Sequence, residues 1–249
     1  MMHKIQILDH GYISLVDRWG SDESIIEAAR MSTQKGFEGW GPKTENVAGP
    51  QGRMVTQQVA GDEKLLAYLW KNKHETPFEM AGVTIEVQAP IFVFREWHRH
   101  RVPFGYNEAS ARYAPLPDLN YIPTIERLML EGARLNKQQA SVYGSNVITE
   151  EGAQDFRDAL QSTYEECEDL YKDALDNGIP KELARCILPV GRYSKMRATG
   201  NLRGWLGFLK LRMDKHAQWE IRQYANALHG ILSELHPRTM KLFDETIDP

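Results

Sequence analysis

The chain has 249 residues, 42% of them hydrophobic and 26% charged, with a formal net charge of −4. That length supports one substantial core, and the composition is that of a soluble globular protein rather than a disordered or fibrous one. A mildly acidic chain is not a non-specific nucleic-acid binder, and no apolar run approaches the roughly 18 residues that span a bilayer.

In chain order, MMHKIQILDHGY holds no apolar stretch of the signal-sequence kind, so a cytoplasmic location is expected. Residues 4–8 and 12–16 are predicted as short strands joined by a turn at His10-Gly11. Asp22 is the expected cap of a helix through Arg30. Residues 36–61 carry six glycines and two prolines with little periodicity, and are expected to be a long loop or insertion. Asp62 starts a helix with an apolar stripe of Leu65, Leu66, Leu69 and Trp70. Residues 83–87 alternate as a strand, and Pro90 then suits the first turn of a helix, IFVFREWHRHR. Residues 118–123 are turn-rich and 125–135 are predicted helical. Phe156, Leu160, Tyr164, Cys167, Tyr171 and Leu175 repeat with a helical period that Asn177-Gly178 ends. A short helix, KELARCIL, follows Pro180, and residues 202–235 are predicted to be almost wholly helical. With no repeat and no low-complexity segment, one α+β domain over residues 1–249 is the expected architecture: a small mixed or antiparallel sheet and several long helices.

The densest basic cluster is Arg95, His98, Arg99, His100 and Arg101. Like charges so close require counter-charges or an anionic ligand, and a solvated basic surface is the plain alternative. Asn107, Glu108, Ser110 and Arg112 follow within YNEASARY; a hydroxyl, backbone N–H groups and an arginine fork in one bend suit a phosphate and a nucleobase edge. His98 and His100 point to different sides of a helix, so no metal site is expected. Arg212, His216 and Glu220, spaced by four, line one helical face. Alone they read as an ion-pair ladder, but Leu209, Leu211, Trp219 and Tyr224 on the other faces suggest enclosure, and a buried arginine requires an acceptor such as a pyrimidine carbonyl. Cys167 and Cys186 form neither a CxxC motif nor a Cys/His cluster. Cys167, on an apolar stripe, reads as a small buried hydrophobe.

The stretch RHRVPFGYNEASARY resembles the signature of flavin-dependent thymidylate synthases, an RHR tripeptide followed by a spacer, a serine and an arginine. The resemblance continues through ILDHGYISLVD, KHETPFE, APIFVFREW and NLRGWLGFLKLRMDKHAQWEI, and covers nearly the whole chain outside the glycine-rich stretch and much of residues 122–150. Two positions depart from the pattern: eight residues rather than seven separate Arg101 from Ser110, with Gly105 where many relatives have serine, and Gly207 replaces an asparagine that helps hold the flavin. No GxGxxG fingerprint is present, which speaks against a generic dinucleotide-binding oxidoreductase but not against this family.

The resemblance implies reductive methylation of dUMP to dTMP, with 5,10-methylenetetrahydrofolate as carbon donor, NADPH as reductant and FAD as hydride carrier. It implies that Thr76, Glu79, Arg99, His100, Arg101, Glu108, Asn201 and Arg203 hold FAD, with His74 and His216 in the folate or flavin neighbourhood. It implies that Glu96, Arg99, Glu108, Ala109, Ser110, Ala111, Arg112, Arg185 and Arg212 hold dUMP, and that Arg212 polarises the uracil ring. A homotetramer with shared sites is implied as well. The other class of thymidylate synthase attacks C6 with a cysteine; Cys186, in ARCILP, lacks those surroundings and reads as structural. The competing readings are a dUMP hydroxymethylase of the same fold and a catalytically inactive nucleotide-binding regulator.

Overall fold

The computed structural model describes residues 4–48, 54–59, 61–130 and 148–247. In chain order the elements are β1 (Lys4–Ile7), β2 (Gly11–Trp19), α1 (Asp22–Arg30), β3 (Lys43–Ala48), β4 (Met54–Val59), α2 (Asp62–Lys71), β5 (Gly82–Pro90), α3 (Ile91–Trp97), β6 (Gly105–Glu108), α4 (Ile125–Met129), α5 (Glu150–Asp176), α6 (Lys181–Ala184), β7 (Tyr193–Asn201), α7 (Leu202–Arg212), α8 (Trp219–Leu235) and α9 (Pro237–Ile247). Five strands form one antiparallel sheet in the order β1-β2-β5-β7-β6. The expected α+β class is what the chain adopts.

The β1–β2 turn is tight enough to exclude any side chain at Gly11, where a Cβ would lie 2.0 Å from the Tyr224 hydroxyl. Ile13, Val83, Ile85, Val87, Met196 and Ala198 turn one sheet face inward, and Trp97 of α3, Trp205 and Phe208 of α7, and Tyr224 and Leu228 of α8 cover it, all buried. Burying one such large apolar side chain stabilises the fold by about 1.5–3 kcal/mol. Two polar contacts fix helix to sheet: Trp205 Nε1 donates to the Val83 carbonyl (3.2 Å) and Tyr224 OH to that of Gln88 (2.8 Å).

The structure corrects several expectations. Strand β7, between β5 and the edge strand β6, was not foreseen. Its alternation is real, with Lys195, Arg197 and Thr199 exposed and Met196, Ala198 and Gly200 buried, but its inward residues are not the β-branched or aromatic types that mark a strand. Residues 36–61 are not one loop, since β3 and β4 pair in an antiparallel hairpin; the glycines masked Thr44, Val47, Val55, Thr56 and Val59. Residues 49–53 and 60 of that stretch, and 131–135 of the predicted 125–135 helix, lie outside the described residues. Ser21, not Asp22, caps α1, in a reciprocal pair with Ser24. Asp22 is buried and accepts hydrogen bonds from Arg238 N, Thr239 N and Thr239 Oγ1, capping α9 instead.

Candidate active site

Helix α3 stops at Trp97, four residues short of the predicted end, because the residue before Pro103 is disfavoured in helical geometry and the RHR tripeptide leads into it. Arg99, His100 and Arg101 therefore form a turn, not a helical face. Arg95, Arg99 and Arg101 are exposed and, among the described residues, make no side-chain hydrogen bond or ion pair. Beyond this turn Phe104 packs on Trp205 with ring centroids 4.6 Å apart, and β6 begins at Gly105, opposite Thr199. A Cβ at Gly105 would stand 3.1 Å from Thr199 Cγ2.

His100 turns inward. Its ring meets Phe208 edge-on at 4.9 Å, and the Tyr106 hydroxyl donates to its carbonyl (2.6 Å). Arg212, the last residue of α7, donates from Nε to His100 Nε2 (2.8 Å), from Nη1 to Glu96 Oε2 (2.7 Å) and from Nη2 to the Glu96 carbonyl (2.8 Å). Since Nε can only donate, His100 Nε2 accepts and the ring is neutral. Burial, and after it the neighbouring Arg212 cation, depress the His100 pKa from 6.5 to about 4. Arg212 is 15% exposed.

The predicted ladder does not exist. The chain breaks between α7 and α8; His216 sits in that connection and bonds Asp214 Oδ1 (2.8 Å). Glu220 is buried and accepts from Tyr121 OH (3.1 Å) and Arg127 Nε (2.8 Å). The spacing of four was coincidental, because residues 213–218 are not helical. Leu211 is 62% exposed and encloses nothing; burial of Arg212 comes from α3 and the RHR turn.

A second group gathers beyond β6. Glu108, at the end of that strand, lies 3.9 Å from His98 Nε2. Ala109 N donates to the Lys195 carbonyl (2.7 Å), Ala111 is buried, and Arg112 N reaches Ser110 Oγ (3.3 Å). Glu182 joins the two arginines: its carboxylate lies 3.4 Å from Arg112 Nη2, and its carbonyl accepts from Arg185 Nε (3.2 Å). Lys181 Nζ donates to the Tyr113 carbonyl (3.2 Å). Glu182, Lys181 and Tyr106 were missed by the sequence reading. Glu182 stands three residues before Arg185, which was a usable local signal; its pairing with Arg112 is long-range and was not.

A third group lies where β5 begins and β7 ends. Thr76 and Glu79 belong to a 3-10 turn, Thr76–Met80, and Asn201 is paired with Gly82. Asn201 Oδ1 caps α7 by accepting from Gly204 N (2.9 Å). Arg203 is held by Glu79 (2.6 Å) and Glu75 (2.5 Å). His74 is exposed, edge-on to Tyr68 at 5.5 Å. A cavity of about 460 Å³ opens beside this group, walled by Trp70, Phe78, Leu206 and Phe243, with Arg203, Gly207, Lys73 and Lys210 also lining it. A Cβ at Gly207 would meet nothing within 4 Å.

Within one chain the first and third groups stay apart. Arg203 and Arg212 are nine positions apart on α7, hence about 14 Å along its axis and about half a turn around it. Cys167 is partly covered rather than buried as expected, and Cys186 is exposed.

The family model described as thymidylate synthase complementing protein matches residues 14–238. The chain is 38% identical to a flavin-dependent thymidylate synthase of Thermosipho africanus over 238 residues, 96% of this chain and 92% of that one. It is 35% identical to the flavin-dependent thymidylate synthase of Thermus thermophilus over 241 residues, covering 97% and 78%. Its structure resembles the UMP/dUMP methylase PolB of Streptomyces cacaoi bound with 5-Br UMP, with a TM-score of 0.75 at 30% identity, covering 97% and 96% of the two chains. The same enzyme bound with 5-Br dUMP gives a TM-score of 0.75 at 31% identity.

Proposed function

The chain belongs to the flavin-dependent thymidylate synthase family, and from that premise we propose that it converts dUMP to dTMP, taking the carbon from 5,10-methylenetetrahydrofolate. The observation that carries the proposal is the ordered Arg212 guanidinium beside the unpaired cations of the RHR turn. FAD, when bound, supplies the hydride, which comes from NADPH. The residues present fit it: Arg99 and Arg101 are exposed cations suited to a diphosphate, and Gly207 leaves open space beside the Arg203 group. Thr76, Glu79, Arg99, His100, Arg101, Glu108, Asn201 and Arg203 hold the flavin nucleotide, with His74 and His216 toward the folate.

Glu96, Arg99, residues 108–112, Arg185 and Arg212 hold dUMP. Ser110, Arg112 and Arg185 take the phosphate, for which the anion must displace the Glu182 carboxylate from Arg112. Arg212 faces the uracil ring. C5 of uracil is a weak nucleophile, and negative charge develops on N3 and O4 as it attacks the one-carbon group. A permanently protonated guanidinium in a part-buried site stabilises that charge more in the transition state than in the ground state. No cysteine attack on C6 is involved.

The active form is a cytoplasmic homotetramer with sites built from more than one subunit. The opposite facing of Arg203 and Arg212 on α7 supports this. Among the described residues no helix is long and apolar enough to cross a membrane.

Likeness to a UMP/dUMP methylase favours a second substrate, UMP, which the same assay addresses. The purified protein, incubated with FAD and desalted, is expected to be yellow, to bleach with NADPH, and to change its spectrum on adding dUMP. Absence of flavin absorbance together with absence of a dUMP response would overturn the proposal. UMP in place of dUMP, with the product mass measured, separates one substrate from two and methyl from hydroxymethyl.

A further inference from the structure

Arginine carries five N–H donors, and three of those on Arg212 are engaged inside the chain: Nε by His100, one of Nη1 by the Glu96 carboxylate and one of Nη2 by the Glu96 carbonyl. One N–H on each terminal nitrogen is left for a ligand. All three acceptors come from a single short stretch, the last turn of α3 and the RHR turn beyond it, while Arg212 comes from the far end of α7. The stretch is itself anchored. Trp97 is fully buried against Phe208 of α7 (4.8 Å between ring centroids), and the Tyr106 hydroxyl holds the His100 carbonyl (2.6 Å).

We propose that Glu96 and His100 are positioning residues that lock the Arg212 guanidinium in orientation before substrate arrives. The inference rests on the reading that Arg212 polarises the uracil ring, and gives Glu96 and His100 a role beyond touching a ligand. A free arginine side chain has four flexible torsions, and orienting it during catalysis would reduce the effective stabilisation of developing charge. Held at Nε, Nη1 and Nη2, it cannot swing. His100 serves this purpose only as a neutral acceptor, because a protonated ring would offer Arg212 a second cation instead of a lone pair. Glu96 contributes through both its side chain and its main chain, so loss of the carboxylate leaves Nη2 still held.

The test is a double-mutant cycle in the full-length protein, with methylation, flavin reduction by NADPH and dUMP affinity measured separately. Wild type and Arg212→Ala are measured first; a wild type that does not methylate, or a normally methylating Arg212→Ala, defeats the underlying reading rather than this one. With those in hand, Glu96→Ala is expected to lower kcat by about tenfold or more beyond any loss of dUMP affinity, while flavin reduction stays within about threefold. Glu96→Gln, which keeps an acceptor oxygen, and His100→Gln, which presents one to Nε, are expected to retain more turnover than Glu96→Ala and His100→Leu respectively. In an Arg212→Ala background, Glu96→Ala should add no more than about a twofold loss, since the group it orients is gone. If Glu96→Ala loses dUMP affinity at unchanged kcat, or its effect persists in full without Arg212, it acts on the ligand directly and the proposal fails. Unchanged kcat in Glu96→Ala also overturns it. Should Glu96→Ala not fold, Glu96→Asp, which keeps the charge but shortens its reach, gives the same cycle with the same expected non-additivity.

Discussion

On the role proposed for Arg212, its replacement by alanine removes an interaction that grows as charge develops on the uracil ring, so kcat is expected to fall by about a hundredfold or more. Flavin reduction by NADPH needs no polarised ring and should survive. Arg212→Lys should recover little, because an ammonium cannot meet His100, Glu96 and two ring atoms at once. Rapid-mixing measurement of the two half-reactions checks this. His100 gives a pH prediction. Its pKa lies at about 4 in the folded chain against 6.5 for the free side chain, so the unfolded chain takes up this proton first as pH falls. The contribution to stability is whole above pH 6.5 and is lost as pH drops toward about 4. The slope is below the one-proton limit of about 1.4 kcal/mol per pH unit, since the ring is only part-buried. His236, also depressed by burial, adds in the same direction. Denaturant unfolding at two pH values should therefore show a shallower acid limb in His100→Gln than in wild type; identical limbs would contradict the inward, neutral ring. The cysteines are expected to be dispensable. With Cys167 partly covered and Cys186 exposed, replacing both by alanine should keep kcat within about tenfold, and an inactive but folded Cys186→Ala would reveal a covalent mechanism.

At the scale of elements, Asp22 ties α1 to α9 through three donors from Arg238 and Thr239. Asp22→Ala strands the buried N–H and hydroxyl of Thr239, which costs about 2–4 kcal/mol. A lowered melting temperature with normal turnover per folded molecule is the expected result, because the contact lies outside all three site groups. Asp22 also shows what the sequence could and could not say. An acidic residue at a helix start was legible as a cap, but not which helix it caps, because its partners lie more than 200 positions away. Periodic helices were found where the apolar period was strong, as in α2 and α5. Helix α5, however, buries only Ala153, Glu168 and Tyr171 within this chain, so its stripe did not predict its environment. The long helix expected over residues 202–235 was a run of apolar and helix-forming residues with no proline to divide it, and its break at residues 213–218 was invisible to pattern alone. That error produced the Arg212–His216–Glu220 ladder. Arg212 itself was still singled out, for a wrong geometric reason and a sound family resemblance. Its real acceptors, Glu96 and His100, are legible in the sequence as ligand contacts; that they bond Arg212 depends on how α3 and α7 pack, which only the fold reveals.

For the whole molecule, the Arg203 and Arg212 groups sit on opposite sides of α7, and the expected consequence is a tetramer in which neighbouring chains complete each site. Light scattering of active enzyme should give four chains, and a monomer that turns over would contradict the shared site. The sequence made the family legible through separated motifs in one order, and the match over residues 14–238 agrees. What it could not supply is which motifs meet within the chain. The most direct test of the central claim is turnover: dUMP with 5,10-methylenetetrahydrofolate, FAD and NADPH, the nucleotide product identified by mass. The expected product is dTMP, formed only when all four are present and at a rate kept within about tenfold on loss of both cysteines. Formation of no dTMP by a folded, FAD-loaded protein, or of a hydroxymethyl nucleotide in its place, would contradict it.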